Sequence, residues 1–440
     1  MIIFADVCAD EPTFTVDAKT LNFDGDEQVL KAEDVVIAFK NGAKLISRHA
    51  ELDFDSIHGV MSSGEEGELV IFSGFVSDER GGQLPIIVKG KIMVVGISED
   101  EDHREVVEVT AEGDVEILYD EDYTAYGDRV HFQNERQSDL SSLTKSGSLI
   151  LKGNGSDIPC CIQHKNGDVI EAAQIVFLPS ENQVDAWNVK GSITSLGYLR
   201  EVEIASDHVC WLPRKGRVVF SGKTIISDGE VGTLSNLGTI EVDREDETER
   251  ARIKEVVAKG ETRLENWEAE QSLGCFGVAQ LQMENRRLVL SSPKDGLSDI
   301  PITQQAYYQD LLGQIHADRF EIDFNLDQGK IHPTHIVMRG SVRMQNQLIP
   351  DPQVQVILEQ YAIADLVKYS PDTKQMTCVA KKGKRVLYFD KTKGLQVSAP
   401  GLHVTRGTKG EWEVQGKGNV RMKFTHQEVS QLQEIFPFLK

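Results

Sequence analysis

The chain has 440 residues, 40% of them hydrophobic and 27% charged, with 37 glycines and a formal net charge of −23. That charge excludes an ordinary nucleic-acid binder, because a phosphate backbone is met by a basic surface. No apolar run reaches the ~18 residues of a helical membrane span, while 40% hydrophobic residues is enough for a core and 37 glycines suit many turns.

In chain order, the first residues are apolar, Met1-Ile2-Ile3-Phe4-Ala5, and Val7 and Ala9 occupy the −3 and −1 positions of a signal-peptidase cut before Asp10. Residues 1–9 therefore read either as the remnant of a secretory signal or as a chance apolar start, since a basic n-region and most of an apolar h-region do not precede it. From there on one short motif recurs, two apolar residues flanking one other. It occurs as Leu21/Phe23, Leu52/Phe54, Val130/Phe132, Ile175/Phe177, Val209/Trp211, Ile240/Val242, Leu281/Met283, Ile322/Phe324, Val367/Tyr369 and Leu402/Val404. The middle residue is polar in eight of the ten; Val176 and Cys210 are the exceptions. A period of two places each apolar pair on one strand face and the middle residue on the other. Ten copies spread along the chain predict a stacked all-β architecture of antiparallel strands, with function in a continuous apolar face instead of a point site.

A second element alternates with the first: an apolar strand that crosses a glycine and resumes. It appears around Gly113, Gly191, Gly260, Gly340 and Gly418. A glycine inside a strand pattern predicts a bulge, a sharp bend or a close backbone approach. Polar turns such as Asp24-Gly25-Asp26 and Asn166-Gly167-Asp168 separate the elements, as expected of a sandwich, barrel, jelly roll or solenoid. The acidic run 98–102 reads as a hairpin loop, since it lacks the spaced ligands and turn glycine of a calcium loop. Segment 243–255 is highly charged and reads as a short helix or solvated loop. It is the candidate boundary between a first half, 10–244, and a second, 251–425. Segment 304–313 reads as a helical turn or a connecting strand, and residues 426–440, with Val429, Leu432 and Phe436 at helical spacing, as a cap.

No residues present a catalytic or metal-binding pattern, and no cofactor is expected. His332 and His335 are three apart, but Pro333 opposes a helix and a strand would point the two rings apart. No Gly-x-Ser-x-Gly elbow occurs, and the clustered glycines at 64–67 and 81–82 lack the Lys-Ser/Thr of a phosphate loop. The six cysteines do not read as a disulfide framework; most are expected as small buried hydrophobes. Trp187, Trp211, Trp267 and Trp412 read as core or groove aromatics.

Segments 45–60 (LISRHAELDFDSIHGV) and 316–332 (HADRFEIDFNLDQGKIH) resemble the OstA-like repeat of lipopolysaccharide-transport proteins. Gly418-Asn419-Val420 matches the returning element of that repeat, and Gly113-Asp114-Val115 and Gly340-Ser341-Val342 match it with a changed middle residue. The resemblance covers most of residues 13–425. It implies a periplasmic β-jelly roll, two sheets folded like a taco shell, present either as two in tandem or as one extended roll. It also implies an apolar groove that shields the acyl chains of lipopolysaccharide, and end-to-end strand pairing with other transport proteins. The groove residues are then Leu21, Phe23, Leu52, Phe54, Val130, Phe132, Ile175, Phe177, Val209, Trp211, Leu281, Met283, Ile322, Phe324, Val367, Tyr369, Leu402 and Val404. By elimination the soluble bridge component of that system fits best, and the protein is expected not to be an enzyme. Two alternatives stand beside it: a closed β-solenoid or sandwich serving as a surface scaffold, and a glycan-acting enzyme on a β-solenoid. The second would need a cleft of clustered carboxylates, and no pair is singled out by spacing.

Overall fold

The computed structural model describes residues 14–64, 68–77, 83–97, 106–120, 122–135, 146–154, 159–165, 167–195, 200–212, 215–229, 232–245, 252–266, 270–293, 300–311, 313–327, 330–348, 358–390, 394–406 and 412–423. Strand is the dominant structure throughout; the described helical turns include two three-residue 3-10 turns, Pro179–Glu181 and Ile302–Gln304. The fold is all-β, and its described strands pair antiparallel. The chain divides into two compact units, one of residues up to 195 with 201–220, the other of residues from 221 onward with 196–200.

In the first unit, long strands carry two sheets each. Val29–Phe39 and Lys44–Asp53 pair along their whole length. The last residues of Lys44–Asp53 then pair with His58–Ser62, while its first residues pair with Val70–Ser77. Val106–Tyr119 joins the two again, with Ile92–Ile97 on its first half and Gln83–Gly90 on its second. The pattern repeats beyond the Val106–Tyr119/Tyr123–Glu135 hairpin. Ser146–Lys152 and Gln174–Leu178 continue one sheet, Cys160–His164 and Val169–Ala172 the other, and Gln183–Ser195 spans both. The chain is thus a meander whose passages cross from one sheet to the other at a common seam, with hairpins at two outer lips. Asp24 and Asp53 close two of those hairpins by accepting hydrogen bonds from backbone N–H groups two and three residues on.

The second unit is built the same way. Gly232–Glu245 pairs through its first half with Thr262–Asn266 and through its second with Arg252–Lys259. Two files of four short strands follow, and Lys330–Leu348 receives both. These ten strands form a closed circuit of hydrogen-bonded neighbours. Leu358–Ser370 then pairs with Lys330–Leu348, and each of its arms continues outward. One arm leads to Gln375–Val379, Gly401–Arg406 and Trp412–Lys417, the other to Val386–Asp390, Leu395–Ala399 and Arg421–Lys423.

The seam is where the glycine elements fall. Gly113 (φ 76°) and Asp114 (φ 49°) bulge opposite the register shift between Gly127 and Arg129. Gly340 (φ 74°) and Ser341 (φ 45°) bulge between Arg339 and Val342. Two successive left-handed residues bend a strand sharply, and glycine takes the first without steric cost. At Gly340 a Cβ would also collide with Asp318 Oδ2. The valine two positions after each glycine, Val115 or Val342, is then driven into the angle between the sheets and is almost fully buried.

Of the charged segment 243–255, residues 243–245 end the strand Gly232–Glu245 and residues 252–255 begin its partner Arg252–Lys259, with Asp243 opposite Glu255, while 246–251 lie outside the described residues. Segment 304–313 gives the strand Ala306–Asp310 and the start of the next. The N-terminal remnant 1–9, the acidic run 98–102, Trp267 and the cap 426–440 lie outside the described residues.

Candidate functional site

The alternation read from the sequence becomes continuous rows of apolar side chains across successive strands. In the first unit one inward row runs Phe23, Leu30, Leu52, Gly59, Val95, Val109, Phe132, Leu149, Phe177, Val184, each residue opposite the next. From Leu30 onward every member is buried. The facing sheet supplies Val16, Ile37, Leu45, Phe72, Val88 and Ile117, all buried. Aromatic rings bridge the two sheets: Phe72 meets Phe132 at 6.5 Å and Tyr119 meets Phe177 at 5.7 Å between centroids. Tyr123 packs edge-on to Trp211 at 5.4 Å, beside His164. These rings fill the space between the sheets, and the first unit is a closed, packed core.

The equivalent row of the second unit runs Val242, Val256, Leu281, Leu288, Ile322, Ile336, Tyr369, Met376, Val404, Val414. It is equally apolar, yet only Val242 and Ile322 are buried; Val414 is 38% exposed and the others are half-buried. The opposing row runs Leu234, Leu264, Leu273, Tyr308, Ile315, Met344, Ala362, Tyr388, Val397, Met422. Nearer the seam both sheets do close. Phe320, Met338, Val367, Cys378 and Leu402 are buried on one side, and the small residues Ala306, Ala317, Ala364 and Ala399 on the other.

Between the half-buried parts of these rows lies a cavity of about 260 Å³. Tyr308, Ile315, Met344, Ala362 and Tyr388 line it from one sheet, and Met376, Val404 and Val414 from the other, with Cys378 and Leu402 among the lining residues nearer the seam. Tyr308 and Tyr388 belong to strands four steps apart, about 19 Å at ordinary strand spacing, so the space is a slot and not a round pocket. The sheets stay parted there because the side facing the two tyrosines offers thin chains where the first unit places rings. The slot is also smaller than the ~300–1,000 Å³ of a drug-sized site, which suits one narrow apolar chain.

The mouth is polar. Asp310, Gly313, Asn346, Gln360 and Asp390 form the next inward row toward the lip. Tyr308 donates its hydroxyl to Asp310 Oδ2 at 3.0 Å, and Gln360 Nε2 donates to Asp390 Oδ2 at 3.1 Å. Burial pushes both tyrosine hydroxyls well above their usual range, Tyr388 to about 12, with the adjoining Asp310 or Asp390 carboxylate adding to the effect. Both hydroxyls therefore remain protonated donors at neutral pH. Burial likewise raises the thiol of Cys378, which lines the slot, to about 12 and disfavours its thiolate at neutral pH. The described cysteines are free, and Cys160, Cys275 and Cys378 are buried.

Of the sequence-predicted groove residues, Leu402 and Val404 line the slot. Leu281, Met283 and Tyr369 are half-buried in the same sheet, while Ile322, Phe324 and Val367 are buried within it. Leu52, Val130, Phe132, Ile175, Phe177 and Val209 belong to the packed core of the first unit. Trp211 belongs to its aromatic cluster, Leu21 and Phe54 are half-buried, and Phe23 is 40% exposed with its ring against Phe54. The opposing wall, Tyr308, Ile315, Met344, Ala362 and Tyr388, was not singled out from the sequence. Tyr-x-Asp recurs in it at 308–310 and 388–390, but the same triplet stands at 126–128 in the first unit, so the pattern does not mark the wall.

By fold and site this is an all-β protein of two-sheet units with an apolar slot between the sheets of the second. No family model matches the chain, and no curated protein is similar to it.

Proposed function

We propose that the protein is a lipid carrier, a periplasmic bridge component of lipopolysaccharide transport, with an acyl chain shielded in the slot of its second unit. The observation carrying this reading is the contrast between two apolar rows of the same kind. The first unit buries its row against rings from the opposing sheet. The second leaves its row half-buried around a cavity with a polar mouth. Apolar surface left unpacked along consecutive strands costs about 0.8 kcal/mol per methylene in water, and an acyl chain recovers it. Lipopolysaccharide and the periplasm enter from the resemblance to the OstA-like repeat, as does the pairing of terminal strands with other transport proteins. Edge strands offer backbone groups suited to such pairing.

The closed core of the first unit favours a second reading for that unit alone, a rigid spacer without a ligand. Photo-crosslinking in Gram-negative cells tests the main reading. Probes at inward Met344, Met376 and Val404 should capture lipopolysaccharide, whereas outward Arg343, Thr377 and His403 should not. Equal capture from both faces sinks the slot as the carrier site.

A further inference from the structure

The slot has one closed end and one open end. At the closed end Tyr308 is the last residue of its row to line it. Leu273, next in that row, and Ile322 and Ile336 of the opposing row are not among the described lining residues. A hydrogen bond from the Tyr308 hydroxyl to Asp310 Oδ2 at 3.0 Å holds the ring in place. At the other end both rows run out on the last described strands, with Val414 38% and Met422 58% exposed. Between Tyr308 and Tyr388 the wall is Ile315, Met344 and Ala362, with no ring to interrupt it. From this geometry we infer that the slot measures its ligand. It takes one unbranched chain with the methyl end against Tyr308, and its length limits how many carbons it shields. The inference rests on the carrier reading above and names the chain that the same site would take.

The carbon count follows from size. A fully extended backbone spans at most ~3.3–3.6 Å per residue over three bonds, so an all-trans carbon chain advances about 1.2 Å per carbon. Roughly sixteen carbons then cover the ~19 Å between the strands of Tyr308 and Tyr388. Volume sets the lower bound. A water takes about 30 Å³ in the liquid and a methylene is of similar size, so the cavity of about 260 Å³ holds roughly nine carbons before its walls move. Methylenes beyond the slot stay in water and add no affinity. A branch or a terminal ring is wider than the chain the slot fits. Seating it would push on Cys378 and Leu402, both 2% exposed and already packed near the seam.

The test uses the full chain loaded with a neutral fluorescent apolar probe. The probe is displaced by straight-chain alkyl maltosides from octyl to octadecyl, each below its micelle concentration, so that one uncharged head is common to the series. Each added methylene should lower the displacing concentration about fourfold while it enters the slot. The gain should begin to fail beyond decyl and stop by hexadecyl, leaving octadecyl within about twofold of it. Cyclohexylpentyl maltoside, with as many carbons as undecyl maltoside, should need about tenfold more than undecyl. Tyr308→Val should move the break to chains about four carbons longer, one strand spacing, and Tyr308→Phe should leave it in place. A gain that continues unbroken to octadecyl, or a ring-ended chain that displaces as well as undecyl, overturns the measuring slot and leaves the carrier reading intact. An unmoved break in folded Tyr308→Val overturns Tyr308 as its closed end. Failure of the whole series to displace the probe overturns the slot itself and the carrier reading with it.

Discussion

At the scale of single residues, the fold depends on a few positions whose backbone is unusual. Gly340 combines a left-handed φ with a Cβ position that Asp318 already occupies. Gly340→Ala should therefore lower stability by about 1–3 kcal/mol in urea titration; an unchanged midpoint would mean the seam does not need this bend. Two titrating groups on the second unit set an acid limit. Burial raises the Glu321 pKa, but the Arg319 hydrogen bond and the charges of Arg287, Arg319 and Arg339 outweigh it and hold it below its usual value. A depressed carboxylate contributes stability above its unfolded pKa and loses it as pH falls through the folded one. Burial and the Arg343 charge hold His316 below 6.5, so the unfolded chain binds its proton more readily and stability falls as pH drops below that value. Urea midpoints should thus decline from about pH 6.5 downward and more steeply below about pH 4.5. Glu321→Gln should flatten the lower limb and His316→Asn the upper. The glycine bends were legible in the sequence because glycine is the residue that takes such φ values cheaply. Asp34 and Asn188, which adopt φ of 51° and 54° inside other long strands, were not, because acidic and amide residues in a polar strand face carry no distinguishing pattern.

At the scale of elements, period two made the strands and their inward faces legible, and ten motif pairs landed on strands or strand ends. Partner choice was not legible. The pairing of Leu288 with Ile322, across 34 positions, depends on which loops are long enough to pass the seam, and no local pattern encodes that. The packing contrast between rows has a measurable consequence. Leu149 is fully buried among rings, so Leu149→Ala should cost about 2–5 kcal/mol. Met376 borders empty space, so Met376→Ala should cost less than about 1 kcal/mol, the cavity term being already present. Comparable losses from the two would mean that the second row is as tightly packed as the first.

At the scale of the molecule, each unit is the same folded meander, and they differ in what stands between the sheets. Rings close the first; aliphatic and sulfur-containing chains facing Tyr308 and Tyr388 leave the second parted. The sequence showed that both units have apolar inward faces, and it could not show which one opens. That outcome turns on the size of side chains that meet across a gap, pairs such as Tyr119 and Phe177 that lie 58 residues apart. The net charge of −23 favours a well-hydrated surface. The central claim is that the second unit's slot holds an acyl chain, and filling the slot tests it most directly. The double substitution Ala362→Phe with Val404→Phe places two rings where the lining is thin. Protein purified from Gram-negative cells should carry extractable lipid detectable by mass spectrometry, and the filled variant should lose it while keeping or raising its thermal midpoint. Lipid retained at the unaltered level by a folded, filled variant would contradict the account.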